Sequence, residues 1–202
     1  MNKIFAFIVV WIACNVSMGY ALAPNATGVF LKYDENGQVK SQIHYQQGKK
    51  LGLAKDFWPN GELMRESNYA DDQLNGFVKE YALDGTLQSE TEYKNGLMDG
   101  VVKKYYKSGA LQLEGQAKEG QYVGLMKSYY ESGALWEEVL FENGKQHGVT
   151  KIYYENGKIK FEKDYDQGVC KLKRNYDENG EFVQEEECGS STDILNKQPV
   201  ED

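Results

Sequence analysis

Hydrophobic and polar positions recur along this chain with a period of 24 residues. Each period is marked by a glycine, with an aromatic residue four positions before it and an apolar residue two positions after it. The marking glycines are Gly37, Gly61, Gly85, Gly109, Gly133, Gly157 and, after a deletion of one residue, Gly180. Two more glycine series share the period, and Asp72 fills the one internal gap in them. Three series in phase define a tandem repeat of about seven units.

Each unit predicts a β-hairpin. An aromatic-rich segment and a second segment of alternating apolar residues flank a turn signal such as Pro59-Asn60-Gly61. The aromatic column is Tyr33, Phe57, Tyr81, Tyr105, Tyr129, Tyr153 and Tyr176. Helices are disfavoured because a glycine interrupts every candidate window after about ten residues. We therefore expect turns centred on Asn36-Gly37, Asn60-Gly61, Asp84-Gly85, Ser108-Gly109, Ser132-Gly133 and Asn156-Gly157.

The length of the turn decides which residue columns share a face of the sheet. A two-residue turn would place Lys151 opposite Glu162, members of a lysine column and a glutamate column that also follow the period. A three-residue turn ending in a left-handed glycine would instead place Tyr153 opposite Ile159, with Tyr165 on the same face. An exposed ion pair contributes only about 0.2 to 1 kcal/mol, less than three apolar columns gathered on one face. We therefore predict the three-residue turn, and we assign the aromatic column to the core of the sheet.

The segments from Gly100 to Gly124 and from Gly148 to Gly168 carry the recurring core Y-Y-x-x-G-x-L-x-x-E, with isoleucine for leucine in the second. They resemble the variant MORN repeat, and the resemblance extends over residues 28 to about 188. It implies an all-β fold, an elongated single twisted antiparallel sheet of about seven stacked 24-residue hairpins. The residues themselves also require stacking, because one hairpin of this size cannot bury its apolar face alone. Bacterial proteins built from this repeat are often labelled antitoxin components of toxin–antitoxin systems.

Residues 1–23 predict a secretory signal peptide. A basic residue, Lys3, precedes an apolar run from Ile4 to Cys14 and then a more polar stretch with small residues. The run is shorter than the roughly 20 residues that a helix needs to cross a bilayer. Cleavage is expected near Ala21 or Ala23, and lipidation of Cys14 is the alternative. We expect an exported protein that is periplasmic, associated with the outer membrane or secreted, and that contacts a membrane only if Cys14 is lipidated.

Removal of the signal leaves two cysteines, Cys170 and Cys188, in a chain bound for an oxidising compartment. An even count there favours a disulfide. Cys188 occupies the place that Tyr165 holds in the preceding repeat, which brings it near the strand that contains Cys170. The alternative is two thiols that never meet. The repeat array is expected over residues 24–188, and the aperiodic tail 189–202 is expected to be disordered.

Charge and residue chemistry exclude several classes of function. The net charge of −8 removes the electrostatic attraction on which nucleic-acid binding mostly depends. The two histidines, His44 and His147, stand in different repeats without a fixed nucleophile, and no phosphate-binding glycine loop opens a helix. A carboxylate that repeats in every unit is more typical of a structural device than of a general acid. We predict no enzyme activity, no bound metal and no cofactor.

A second aromatic position follows the first and varies between repeats, as a binding surface does more readily than a core. The predicted partner surface is Trp58, Tyr106, Tyr130, Trp136 and Tyr154. Aromatic side chains suit this role because they offer large, rigid contact area. The function predicted first is a non-catalytic scaffold of the cell envelope or secreted space that binds a protein or a glycan. Two alternatives stay open, an antitoxin or immunity protein that occludes a toxin, and a structural envelope component that forms homo-oligomers.

Overall fold

The computed structural model describes residues 25–188, and these form strands and turns without a helix. The chain divides into two compact units, the first ending at Gly100 and the second beginning at Val101. The first contains β1 (Gly28–Tyr33), β2 (Val39–Gln46), β3 (Lys49–Lys50), β4 (Gly52–Phe57), β5 (Leu63–Ala70), β6 (Gln73–Tyr81) and β7 (Leu87–Lys94). Strand β8 (Leu97–Tyr105) includes the boundary. The second contains β9 (Leu111–Lys118), β10 (Gln121–Tyr129), β11 (Leu135–Glu142), β12 (Lys145–Gln146), β13 (Gly148–Tyr153), β14 (Ile159–Asp166), β15 (Val169–Tyr176) and β16 (Phe182–Glu187).

The strands form one antiparallel sheet in which spatial order follows chain order. The short strands β3 and β12 pair with β2 and β11 beside the main path. This order is expected when each hairpin buries its apolar residues against the next hairpin in sequence. The predicted all-β fold with a single antiparallel sheet of hairpin repeats is confirmed. The predicted signal peptide, the alternative lipidation site Cys14 and the predicted tail 189–202 lie outside the described residues.

The hairpin turns lie where the marking glycines predict them. The N–H of Gly133 donates to the carbonyl oxygen of Tyr130 at 2.9 Å, and the N–H of Tyr130 donates to the carbonyl of Ala134 at 2.8 Å. The φ of Gly133 is +88°, in the left-handed region that residues with a Cβ rarely adopt. The same glycine N–H bond recurs in the seven marked turns of the described residues. This conformation explains why the marking glycine is never replaced.

The register of the hairpins differs from the prediction. Tyr153 lies opposite Ile159, as the three-residue turn requires, yet Lys151 also lies opposite Glu162. A β-bulge beside Tyr153 permits both pairings, because it places one extra residue on β14. The bulge also reverses the alternation of side chains, so Tyr165 lies on the face opposite Tyr153. The predictions that the two pairings exclude each other and that these tyrosines share a face were wrong.

Successive repeats are joined by tighter turns of two residues. Between β7 and β8, Asn95 and Gly96 both have positive φ, 50° and 83°, the signature of a type I′ turn, whose twist matches that of the flanking strands. Asp72 occupies the glycine place in another of these turns with a φ of 67°. Its Oδ1 accepts a hydrogen bond from the N–H of Lys50 at 2.8 Å. An aspartate is tolerated there because aspartate adopts the left-handed region more readily than most residues, and its carboxylate bonds the backbone of the preceding repeat.

The two faces of the sheet carry different residues. The most buried column consists of Ala54, Val78, Val102, Met126 and Thr150, each at most 6% exposed. Every member directly precedes the lysine of its repeat, so it lies on the face opposite the lysine. The aromatic column is only half-buried and lies on the lysine face. The prediction that this aromatic column forms the core was wrong, because the most buried column of the sheet lies on the opposite face.

Candidate binding surfaces

The second aromatic position lies where each hairpin enters its marked turn. Trp58 donates from Nε1 to the carbonyl oxygen of Tyr81 at 3.1 Å, which ties its indole to the next repeat. Tyr106, Tyr130 and Tyr154 make the equivalent bond from their hydroxyls to the next repeat, at 2.7, 2.7 and 3.0 Å. We call Trp58 and these three tyrosines the edge row. All four side chains are half-buried.

Four of the five residues of the predicted partner surface belong to the edge row. The fifth, Trp136, is half-buried within β11 and not at a turn. Burial raises the pKa of the Tyr130 hydroxyl, and Glu155 and the hydroxyls of Tyr106 and Tyr154 raise it further. The hydroxyls of Tyr106 and Tyr130 bond to the carbonyls directly before the next tyrosine of the row, so consecutive tyrosines lie near one another. The hydroxyls serve contacts within the chain, so a partner of this row would meet ring surface. Binding by these five residues stays a prediction.

Tyrosine, glutamate and lysine side chains form a network on the lysine face. In the second unit, the Tyr153 hydroxyl donates to Glu138 Oε2 at 2.9 Å, and Lys127 Nζ lies 3.5 Å from Glu138 Oε1. The Tyr129 hydroxyl donates to Glu114 Oε1 at 2.7 Å. The same contacts recur as Tyr81 with Glu66, Tyr176 with Glu162, Lys55 with Glu66 and Lys79 with Glu90. Holding tyrosines and lysines in place accounts for the repetition of the glutamate column.

Because of this network, the free energy of unfolding depends on pH in the alkaline range. Burial first, and then hydrogen bonding to glutamate, raises the pKa of Tyr129 and of Tyr153 from 10.0 to about 12. Above pH 10 the unfolded chain loses these protons while the folded chain keeps them, so the free energy of unfolding falls as pH rises toward 12. We expect the free energy of unfolding, measured by urea titration, to fall less between about pH 9 and about pH 11 in the Tyr129→Phe/Tyr153→Phe variant than in wild type. An equal fall in both proteins would contradict this assignment.

A row of apolar residues, exposed at all but Val101, escaped the sequence reasoning. The residue after each glycine of the series beginning at Gly28 is apolar in six successive repeats, namely Val29, Leu53, Phe77, Val101, Leu125 and Val149. We call these residues the apolar row. In the first unit Val29, Leu53 and Phe77 are 52%, 42% and 37% exposed, and in the second Leu125 and Val149 are 47% and 41% exposed. The same 24-residue period that marks the glycines carries this signal.

The apolar row is widest in the second unit. There Leu125 lies directly opposite Leu140, which is itself 39% exposed. Elsewhere polar residues lie opposite the row, namely His44, Asn68, Glu92 and Asp164. An apolar centre with a polar rim is typical of protein interfaces.

An open groove lies beside Trp58 in the first unit. It has a volume of about 610 Å³ and is lined by Trp58, Pro59, Asn60, Ala82, Leu83 and Gln88. Residues of two successive hairpin turns form its walls, and Asn60 Nδ2 donates to the carbonyl oxygen of Leu83 at 3.4 Å between them. Ala82 holds the place that the edge row fills with an aromatic ring in other repeats. The groove therefore lies between the turn that carries Trp58 and the following turn, which has no ring at position 82.

The structure joins Cys170 of β15 to Cys188 in a disulfide, with a Cα separation of 5.7 Å. This separation lies within the range that a disulfide can bridge. The N–H of Cys188 also donates to the carbonyl oxygen of Lys171 at 3.3 Å. The bridge therefore closes the last hairpin of the described chain.

The described residues contain no group of three or more His, Cys, Asp or Glu side chains placed to hold a metal ion. His147 Nε2 lies 3.5 Å from Glu142 Oε2 in the second unit, whereas His44 belongs to β2 of the first unit. The structure thus keeps the two histidines in separate units. Between residues 25 and 188, no helix has the length and apolar character to span a membrane.

The fold and these surfaces define a repeat scaffold, a protein whose hairpin units present side chains in periodic rows. The chain belongs to the family of the MORN repeat variant, because its repeat pattern matches residues 26–47, 50–71, 74–95, 98–119, 122–143 and 146–167. The last hairpin, which is one residue short, follows the final matched segment. No curated protein matches the chain. The predicted family is confirmed, and the antitoxin label has no support from a relative.

Proposed function

We propose that this chain is a non-catalytic, exported scaffold that binds a protein partner through the exposed part of the apolar row in the second unit, Leu125 and Val149, together with Leu140. The observation that carries the proposal is the apolar residue that recurs at one place of the repeat and is exposed in five of the six repeats that have it. Single exposed apolar side chains are ordinary, but an extended set of them is typical of an interaction surface. The row contributes little to burial within the sheet, since five of its members are 37% to 52% exposed and only Val101 is half-buried.

The chemistry of the row favours a protein over a glycan. Most of its members are aliphatic, and aliphatic side chains offer neither the hydrogen bonds nor the flat ring faces that sugars use. The neighbouring tyrosine network holds the strands that carry the row, because Lys127 and Tyr129 follow Leu125 on β10 and both bond to glutamates of adjacent strands. A surface held rigid before binding loses little conformational entropy when the partner arrives.

Two features support an exported location. The N-terminal pattern is that of a secretory signal, and a disulfide such as Cys170–Cys188 persists in an oxidising compartment. An antitoxin or immunity function would use the same mode of binding with a toxin as the partner, so the identity of the bound protein separates it from the general scaffold. Assembly into homo-oligomers would instead appear as a mass in solution that rises with concentration.

The test replaces both leucines at the widest part of the row. Protein purified from its host is used to isolate its partner, and the affinity of the purified pair is measured for wild type and for Leu125→Ser/Leu140→Ser. We expect binding to weaken about tenfold or more, because truncating the apolar centre of an interface removes most of its binding energy. The matched control is Val169→Ser, which alters a residue that is 56% exposed but outside the row. Unchanged affinity in the double variant, or an equal loss in the control, would refute the proposal.

A further inference from the structure

We infer that the two end strands of the sheet pair with each other between copies of this chain, so that β16 of one copy binds β1 of the next. Among the described residues, β1 pairs only with β2, and β16 pairs only with β15. Each strand therefore has one row of backbone N–H and C=O groups with no described strand beside it. The contact does not use Leu125, Val149 or Leu140, so it is independent of the proposed function.

The junctions inside the chain, where the second strand of one hairpin pairs with the first strand of the next, show how such a contact is built. Where β5 meets β6, Glu66 lies opposite Lys79, and the Tyr81 hydroxyl donates to Glu66 Oε2 at 3.3 Å. The same donation crosses three later junctions, from Tyr129 to Glu114, from Tyr153 to Glu138 and from Tyr176 to Glu162. A junction of this kind therefore needs a glutamate from the earlier hairpin and a tyrosine from the later one.

The two end strands carry the two halves of this pair. Glu185 on β16 holds the glutamate place of the last hairpin, and Tyr33 on β1 holds the tyrosine place of the first. The Glu185 side chain is 46% exposed, whereas those of Glu66, Glu90 and Glu138 inside the array are only 21% to 23% exposed. Pairing β16 with β1 of a second copy would bring the Tyr33 hydroxyl to the Glu185 carboxylate, as at the inner junctions.

The inner junctions also give the register of the contact. Glu162 lies opposite Arg174 where β14 meets β15, and Glu138 lies opposite Lys151 where β11 meets β13. Leu31 holds the place of that cation in the first hairpin, so Glu185 of one copy would lie opposite Leu31 of the next. The strand equivalent to β1 in the third hairpin is β6, and it pairs on both sides, with β5 and with β7. A strand at this place of the repeat therefore accepts two neighbours.

Charge favours pairing of the unlike ends over pairing of like ends. Strand β16 carries Glu185, Glu186 and Glu187 in succession, whereas Lys32 is the one charged residue of β1. Two β16 strands side by side would bring glutamates together, which destabilises a strand pair. The copies therefore join head to tail. Such a contact uses two different surfaces, so it generates closed rings or open chains.

The test measures the mass in solution of the full chain purified from its host, by sedimentation velocity at increasing concentration. We expect the mean mass to rise above that of the monomer. Tyr33→Phe removes one hydroxyl and should weaken association about tenfold, because that hydroxyl bonds a charged group across the contact. The matched control Tyr129→Phe removes the same bond at an inner junction, so it should associate like wild type. A wild-type chain that stays monomeric, or an equal effect of the two variants, would overturn the inference.

Opposite charges placed at residue 31 test the register. Leu31→Lys supplies the cation that lies opposite glutamate at inner junctions, so it should associate about tenfold more tightly than Leu31→Glu. Within its own chain Leu31 lies opposite the neutral Gln42, so neither variant meets a like charge there. Glu185→Lys should associate weakly alone, and mixing it with Leu31→Glu should restore assembly. Equal association of the lysine and glutamate variants, or no recovery in the mixture, would refute the predicted pairing.

Other modes of self-association give different results in the same measurement. Assembly through the apolar surface of the second unit would be lost in Leu125→Ser/Leu140→Ser, which we expect to associate like wild type. Pairing of β1 with β1 would be insensitive to Glu185→Lys, which we expect to weaken association. Either contrary result would overturn the inference. Because binding of a different protein is measured separately, the proposed function can fail while this contact stands, and the reverse also holds.

Discussion

A chain in which Cys170 and Cys188 are both serine should lose roughly 3 kcal/mol of unfolding free energy in its last hairpin, since the bridge spans 18 residues. Strand β16 pairs only with β15 among the described residues, so its own packing is one-sided. Phe182 and Val183 on β16 are each 59% exposed and contribute little burial. Without the bridge, this terminal strand should fray before the rest of the array.

Hydrogen exchange checks this expectation strand by strand. Amide protection should fall in β15 and β16 of the double variant and stay near the wild-type level in the central hairpins. Reduced wild-type protein is the matched control and should reproduce the loss. Protection that is the same with and without the bridge would show that the strand pairing alone holds the last hairpin.

Wild-type protein purified from its host shows both the redox state of its cysteines and the processing of its N-terminus. Intact mass and thiol titration should show a bridged Cys170–Cys188 pair and removal of the first 21 or 23 residues. A lipid mass on Cys14 would identify the alternative processing route. Two free thiols at positions 170 and 188 in protein from an oxidising compartment would refute the bridge.

Gly133→Val should lower the free energy of unfolding by about 1 to 3 kcal/mol. A Cβ built on Gly133 meets no atom within 4 Å, so steric collision is not the cause. The φ of +88° is the cause, because a β-branched residue is strained in the left-handed region. The turn cannot relax easily, since the N–H of Gly133 bonds to the carbonyl of Tyr130.

A matched substitution separates backbone strain from the loss of glycine itself. Asparagine tolerates the left-handed region better than other residues with a side chain, so Gly133→Asn should lose less than half as much stability as Gly133→Val. Thermal or urea unfolding of the three proteins measures the difference. If valine and asparagine cost the same, the strain explanation fails.

The hairpin turns were predictable because their requirements are local. A left-handed position needs glycine, and the six predicted turn pairs all lie in observed turns. The register was harder to predict, because the bulge beside Tyr153 reverses the faces of the residues that follow it on β14. Counting residues from the turn outward therefore paired Tyr153 with Ile159 correctly but placed Tyr165 on the wrong face.

The candidate surfaces were only partly visible in sequence. Trp58, Tyr106, Tyr130 and Tyr154 were found as a varying aromatic position, but their bonds to backbone carbonyls 22 or 23 residues away were not. The apolar row follows the same 24-residue period, but it was overlooked because a repeated apolar residue in a strand resembles a core position. Its exposure became evident only from the faces of the folded sheet.

By itself, the sequence determined the repeat, its 24-residue period, the hairpins and their antiparallel order. These follow from local backbone preferences and from the need of each hairpin to bury its apolar residues against the next. Only the tertiary structure decided which residue columns share a face of the sheet, which of them are buried and where the groove opens. Those outcomes depend on the bulge and on contacts between repeats, as when the Trp58 indole bonds to the carbonyl oxygen of Tyr81. Such contacts join residues about one repeat apart, so no pattern within a single hairpin reveals them.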